Sequence, residues 1–258
     1  MNDILRSFFA DEKIEYFASA EIRENFIISS RRLPGWAKYV TAFLIPYNTG
    51  EDEKRNLSRY AVSKDYHLYV KELESKLKGK TNKEFCIFAD TSPFDERRLA
   101  KALSLGFIGK NGLLINEKYG SFVFLGEIVT KEAVNIEGGE KSFRNECFDC
   151  GNCKEACPTK ALSNKGACLS ELTQKKKIDE KEKELIKNHN LVWGCDICQE
   201  VCPHNRAISL SNIDFFYKDR LYYVTSDDVE KMGEDEFLSR AYSWRGKNVI
   251  LRNLSFKL

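Results

Sequence analysis

A mixed α/β core joined to a compact cysteine-rich metal module is the fold class that three features of this sequence predict. Strand-like and helix-like patterns alternate over residues 1–140. Eight of the nine cysteines fall between Cys147 and Cys202. Each of the two cysteine groups closes on a Cys-Pro step, at Pro158 and Pro203. Alternating elements point to helices packed on a sheet, and clustered cysteines to a metal-binding unit.

The bounds set by composition agree. At 258 residues the chain is long enough for one sizeable core plus a smaller module. Hydrophobic and charged contents of 42% and 31% are ordinary for a globular protein. A net charge of +2 gives no bulk electrostatic reason to expect nucleic acid or membrane as partner. The start, MNDILRSFFADEK, has no apolar run of signal-peptide type, and no stretch approaches the ~18 apolar residues of a membrane span. A cytoplasmic location is expected, where clustered cysteines mean metal or redox chemistry rather than disulfides.

The elements follow in order. Tyr39 to Tyr47, YVTAFLIPY, is a β-branched and aromatic run that reads as a buried strand. Between Arg59 and Lys78, Tyr66, Val70, Leu73 and Leu77 recur at helical spacing, with Gly79 as C-cap. Glu84 to Asp90, EFCIFAD, is a second strand. Ser92-Pro93-Phe94-Asp95 then carries a helix-start signature: a hydroxyl cap, proline in the first turn and an acid three residues on. That helix is expected to run to about Leu105 and stop at Gly106. Residues 113–129, LLINEKYGSFVFLGEIV, read as a hairpin turning near Lys118–Gly120. A glycine linker at Glu137-Gly138-Gly139 separates a 1–140 domain from a cysteine module at 141–210. Within the module, 175–187 (KKKIDEKEKELIK) reads as a solvated helix joining the two cysteine groups. Residues 211–258 carry short helical patterns, expected to pack on the core as an extension. From Phe237 onward the charged residues are all basic: Arg240, Arg245, Lys247, Arg252 and Lys257.

The cysteine spacing carries the chemistry. The first group is Cys147-x2-Cys150-x2-Cys153-x3-Cys157-Pro158 and the second is Cys195-x2-Cys198-x3-Cys202-Pro203, with Cys168 upstream. Two-residue gaps let three thiolates converge on one cubic cluster, and the fourth, before proline, is directed towards a second. On the bacterial ferredoxin crossing, Cys147, Cys150, Cys153 and Cys202 hold one [4Fe-4S] cluster. Cys157, Cys168, Cys195 and Cys198 hold the other. The rival is zinc, which favours paired C-x2-C units across longer gaps, often with histidine; four cysteines within 11 residues suit a cubane better. Cys86, alone in an apolar strand, reads as an inert core thiol. Two clusters make the module a one-electron relay.

Three segments of the first domain are not generic: Arg59-Tyr60-Ala61 with Asp65-Tyr66-His67, then DTSPFDERRLAKALSLGFIGKNGLLI (90–115), then YGSFVFLGEIVT (119–130). With CLSELT (168–173), WGCDICQEVCPHN (193–205) and WRGKNVILRN (244–253), the chain closely resembles the epoxyqueuosine reductase family over residues 38–254. The resemblance implies a cobalamin-dependent oxidoreductase whose 1–140 domain is like that of reductive dehalogenases. It implies reduction of epoxyqueuosine to queuosine in tRNA, with base-off cobalamin beside the nearer cluster and a one-electron donor of ferredoxin or flavodoxin type. It places the proton donor on Asp90, the cluster ligands on the eight cysteines above, and cofactor or active-site-wall positions on Lys110, Asn111, Gly120, Ser121 and Ser170. No membrane partner is implied, and a monomer is expected.

The bland alternatives stay open beside these. Asp90, an ordinary carboxyl of pKa about 3.9, donates a proton at neutral pH only if burial raises its affinity for one, and otherwise caps the turn before Ser92. Lys110 reads equally as a solvated turn lysine. Asp65-Tyr66-His67 begins like a cobalt-ligating D-x-H-x-x-G motif, but residue 70 is valine. Family members continue past the WRGK…LRN segment into helical repeats that grip tRNA; a compact form without them is expected here, its basic tail offering phosphate contacts or merely a positive surface. Two other functions fit the same residues: a cobalamin-dependent reductase of another substrate, and a non-catalytic iron–sulfur electron carrier.

Overall fold

A computed structural model of the chain describes residues 1–50, 54–137, 146–164 and 166–257, with Asn164 as main chain only. Gly138 and Gly139 of the expected linker lie outside the described residues. The chain divides into two compact units, each gathered from three stretches. The first comprises Met1–Tyr47, His67–Asp149 and Ala207–Ile213; the second comprises Asn48–Tyr66, Cys150–Arg206 and Asp214–Leu258.

The first unit is a four-stranded sheet with helices. Its elements are α1 (Asn2–Asp11), β1 (Phe17–Glu21), β2 (Tyr39–Pro46), α2 (Tyr66–Lys80), β3 (Phe85–Phe88), α3 (Glu96–Ala102), β4 (Phe107–Ile108), β5 (Leu114–Ile115) and β6 (Val123–Thr130). Strand order is β1-β2-β6-β3, and every pairing is antiparallel. β2 is buried along nearly its whole length because both faces are covered. Val40, Ala42 and Leu44 face a core shared with Phe94, Leu99 and Leu105 around α3. Phe43, on the opposite face by alternation, meets Phe9 of α1 at a ring distance of 5.3 Å. Lys76 and Lys80 of α2 pair with Glu12 and Asp11 at the end of α1.

Two expectations change here. The apolar run at 113–129 is not one hairpin: a tight turn closes on an Asn116–Gly120 bridge, β5 pairs back with β4, and β6 pairs with β2 and β3. Buried Asn116 makes that turn, donating to the Leu105 carbonyl and accepting the Lys118 and Tyr119 amides, while Gly120 takes a left-handed φ of 58°. β6, apolar on both faces, needs two neighbouring strands, which a hairpin does not supply. Ser92 is also not the cap of α3. Its hydroxyl accepts the Phe94 amide in a local turn, and Asp95 caps the helix through the Arg98 amide. The helix ends by Leu103 rather than Leu105.

The second unit holds α4 (Asn152–Ala156), α5 (Ala161–Asn164), α6 (Leu169–Gln174), α7 (Glu180–Lys187), α8 (Ile197–Glu200), α9 (Ser226–Lys231), α10 (Glu234–Leu238) and α11 (Lys247–Ser255). Its core is Leu57, Ala61, Val192, Trp193, Tyr242, Ile250 and their neighbours. Asn56 exchanges two hydrogen bonds with Val224, and Leu57 bridges to Trp193. Arg59–Ala61 forms a single 3-10 turn instead of extending α2, because the Arg59 and Asp65 amides bond to Asp196 and Ser239 instead. The 175–187 segment contains the expected helix, capped by an Asp179–Glu182 capping box.

Gly126 sits opposite Phe43 in the sheet, and a Cβ there would stand 2.4 Å from the Phe43 ring. Gly126→Ala is therefore expected to destabilise the protein by about 1–3 kcal/mol through overpacking, read from urea denaturation midpoints.

Candidate metal centre and reaction site

Two short helices present the central cysteines of the second unit. α4 carries Cys153 and α8 carries Cys198, and the two helices pack on one another. Both pre-proline cysteines are extended, Cys157 at φ −62°, ψ 114° and Cys202 at φ −74°, ψ 124°, as the proline ring demands of the residue before it. Each therefore leaves the helical path at its Cys-Pro step. Cys168 stands at the N-cap of α6. Cys147 lies in the 67–149 stretch of the first unit.

Within the second unit the thiols feel one another. Burial pushes the Cys195 thiol up to about 12, with Cys168, Asp196 and Cys157 adding to the rise. Burial does the same to Cys198, helped by Cys195, Cys168, Asp196 and Cys153. Cys157, Cys168, Cys195 and Cys198 thus share one neighbourhood, and Cys153 adjoins it. Such a quartet stays ionised only around compensating positive charge, which the iron of a cubane provides. At Cys157 burial also acts upward, but the Leu162, Thr159 and Ala161 amides and the Thr159 hydroxyl outweigh it and hold the thiol below its ordinary value. Donors aimed at sulfur suit a cluster ligand. Among the described residues, no three His, Cys, Asp or Glu side chains form a group able to hold a single metal ion.

Sequence reading missed the groups that fix this loop. Asp196, between Cys195 and Cys198, is almost fully buried; it accepts the Arg55 guanidinium and the Arg59 amide, each at 2.8 Å. Burial raises its proton affinity and Arg55 opposes that. Thr173 Oγ1 accepts the Gly194 amide, and buried Asn253 donates to the Thr173 and Val192 carbonyls. Gly194 has a φ of 75°, with Ser58 Oγ only 2.1 Å from where a Cβ would lie. The acid inside C-D-I-C and the glycine before it were the available signals.

Of the predicted reaction residues, Asp90, Lys110, Asn111, Gly120 and Ser121 lie in the first unit. Asp90 is exposed, contrary to the burial expected of it, because it lies two residues beyond Phe88 on a turn with a left-handed φ of 63°. Its amide donates to Glu96 Oε1 at 2.8 Å. Arg97, next along α3, donates to the Gly112 carbonyl at 2.7 Å and so ties α3 to the loop holding Lys110 and Asn111. Asn111 is buried and accepts the Leu113 amide; Lys110 is exposed, 3.4 Å from Asp149. Ser121 is buried just after Gly120. Ser170 belongs to the second unit, on α6, where its hydroxyl accepts from Gln174. His67 lies one residue inside α2. Cys86 is half-buried on β3, its thiol pushed up by burial and by Glu74.

Glu127 is the other group that sequence reading passed over. It sits in the middle of β6, fully buried, opposite Phe88 and Ala42. Neither carboxyl oxygen has a hydrogen-bond partner of good geometry, although the Ser92 hydroxyl is near enough to favour the charged form slightly. Burial first, then Glu96, pushes its proton affinity well above the ordinary carboxyl range. Burial also raises Glu96, to about 7, against the Asp90 amide and Arg97 and with Asp90 and Asp95 adding to the rise.

Comparison with known proteins adds the following. The 4Fe-4S double cluster binding domain matches residues 146–205, which contain all eight grouped cysteines. An epoxyqueuosine reductase of Lactococcus garvieae is 34% identical over 250 residues, spanning 86% of this chain and 69% of that protein. One from Cyclobacterium marinum is 35% identical over 247 residues, spanning 89% and 76%. Against the Staphylococcus aureus protein, 31% identical, the chain covers 57% of that relative's length. The solved epoxyqueuosine reductase of Streptococcus thermophilus superposes with a TM-score of 0.77 at 26% identity, over 99% of this chain and 80% of that one. A structure of epoxyqueuosine reductase with an epoxyqueuosine-modified tRNA-Tyr stem loop shares the fold, with a TM-score of 0.74 at 24% identity.

Two outcomes are expected. Gly194→Ala forces Cys195 off its path against Ser58, so iron per chain after anaerobic reconstitution falls by about half, to roughly one cluster. Burial raises the proton affinity of Glu127 in the folded state well above its ordinary range, so the folded state loses stability relative to the unfolded one as pH rises above the ordinary carboxyl pKa. Glu127→Gln removes that loss. Its stability relative to wild type, measured by denaturant unfolding at pH 5 to 8, should rise with pH.

Proposed function

The chain belongs to the epoxyqueuosine reductase family, and we propose that it is a cobalamin-dependent reductase that converts epoxyqueuosine to queuosine in tRNA. The observation that carries this reading is 34% identity across 86% of the chain together with the intact double-cluster cysteine pattern. The reaction takes two electrons and two protons: both carbon–oxygen bonds of the epoxide break, a carbon–carbon double bond forms, and the oxygen leaves as water. An oxidoreductase of this kind needs a source of single electrons, which two [4Fe-4S] clusters relay from an external donor of ferredoxin or flavodoxin type.

Each cluster takes four thiolates on the ferredoxin crossing: Cys147, Cys150, Cys153 and Cys202 for one; Cys157, Cys168, Cys195 and Cys198 for the other. When bound, cobalamin supplies strongly reducing cobalt chemistry to the epoxide. A corrin rim bristling with amide side chains suits small and polar neighbours, and Asn111, Gly120 and Ser121 of the first unit are of that kind, with Lys110 in the same loop as Asn111. Asp90 is the proton donor. On its exposed turn its carboxyl is open to a bound substrate. By sequence order this reading assigns catalysis to 1–140, cluster binding to 141–210 and a helical extension to 211–258, stretches that the two compact units interleave. Among the described residues no helix is long and apolar enough to cross a membrane, and a tRNA substrate puts the protein in the cytoplasm, acting as a monomer.

Anaerobically reconstituted protein carrying about eight irons and cobalamin is expected to convert an epoxyqueuosine-containing tRNA-Tyr stem loop to queuosine. Asp90→Asn should lower kcat by about 10²–10⁴-fold with iron content and KM little changed. A fully loaded wild type that leaves this RNA untouched overturns the substrate assignment.

A further inference from the structure

Among the described residues near Asp90, two carboxyls with no role in the proposed mechanism are held in very different ways. Glu127 is fully enclosed on β6, with the Ser92 hydroxyl nearby but no hydrogen bond of good geometry to either oxygen. Glu96, at the first position of α3, has one, from the Asp90 amide at 2.8 Å. The two side chains come together because α3 packs on β6 and because Glu127 shares the sheet face of Ala42, which faces the α3 core. The other charged groups facing Glu96 are Asp90, Asp95 and Arg97, and Arg97 is engaged with the Gly112 carbonyl. Facing Glu127 are Glu96 and the Ser92 hydroxyl.

The Asp90 turn needs a hold of this kind. A left-handed φ at a residue with a side chain costs about 1 kcal/mol or more, and Asp90 adopts 63°. Two further ties act nearby, the Thr91 amide to the Ala89 carbonyl at 2.7 Å and Arg32 to the Thr91 carbonyl at 3.3 Å. Neither grips Asp90 itself. An amide bonded to an ionised carboxylate is roughly twice as strong as a neutral bond, so the hold depends on where the single charge of the pair resides. Two close carboxyls in such a setting do not both ionise, and Glu96, raised only to about 7, is the one that carries the charge above that pH.

We propose that Glu96 is a positioning residue that fixes the turn bearing Asp90 through its main-chain N–H, and that Glu127 is the neutral member of the pair, leaving the one negative charge on Glu96. The consequence for turnover rests on the family reading, since it takes Asp90 as the proton donor. The hold on the turn itself does not.

Hydrogen exchange of the 86–95 segment in the reconstituted protein, corrected for intrinsic rates, tests the hold without any substrate. Glu96→Leu should lose protection there by about tenfold or more, and Glu96→Gln, which keeps an acceptor but no charge, should lose less. Measured at pH 8, where Glu96 is ionised, Glu127→Gln, a neutral isostere, should match wild type. Wild-type protection in Glu96→Leu overturns the positioning role, and loss of protection in Glu127→Gln overturns the assignment of charge. In turnover of the modified stem loop, Glu96→Leu should lower kcat by about tenfold or more with KM little changed, and Glu96→Gln should restore most of it. Equal kcat in both variants and wild type overturns the link to catalysis. If wild type shows no turnover, the substrate reading fails while the exchange result still decides the hold.

Discussion

The ion pair between Arg55 and Asp196 sets the geometry on which the second unit depends. Asp196 lies between Cys195 and Cys198 and is almost entirely out of water. Its Oδ2 receives both the Arg55 guanidinium and the Arg59 amide, and Arg55 also donates to the Leu57 carbonyl and to Glu200. A buried carboxylate of this kind is weak evidence of stability in itself, yet removal of one partner strands a charge at a cost of about 3–5 kcal/mol. Its main effect is therefore one of specification. The 55–59 stretch and the cysteine loop adopt one register, with Trp193 beside Leu57 and Gly194 against Ser58.

A second constraint runs through the first unit: β6 is central, paired on both sides and buried on both faces. Polar groups there must either find partners or stay neutral. Thr130, at the end of the strand, solves this by donating to the Glu132 carbonyl. Glu127 has the Ser92 hydroxyl nearby but no bond of good geometry, and burial raises its affinity for a proton instead. The same unit leaves Asp90 exposed to solvent just beyond the neighbouring strand. Contrasting surroundings for three carboxyls, at 90, 96 and 127, arise from one strand end and one helix start.

Much of this was legible in residue order. β2, β3, the helix at 180–187 and the double cysteine pattern follow from periodicity, capping and spacing, which are local properties. The family resemblance, carried by segments such as WGCDICQEVCPHN, agrees with the identity across most of the chain. What was not legible depends on contacts between distant stretches. The 113–129 run alternates well enough for a hairpin, and only the competing demand of β2 for a partner draws β6 away. Ser92-Pro93 satisfies every local rule for a helix cap, yet Asp95 wins by reaching the Arg98 amide. Asp90 reads as the end of a buried strand because nothing in FCIFAD reveals that the chain turns left-handed after Ala89. Glu127 was visible as an acid in an apolar run, but its meaning requires knowing that α3 sits above it.

Each unit draws on chain from both sides of the other's sequence. Ser211, in a short stretch far downstream, donates to the Pro46 carbonyl at the end of β2, and Ser209 bonds to Lys118. During synthesis the amino-terminal sheet therefore emerges long before the segment that finishes it, and the eight grouped cysteines leave the ribosome in between. Translation order alone thus denies this protein a finished first half: its assembly closes late, after those thiols are already in reach.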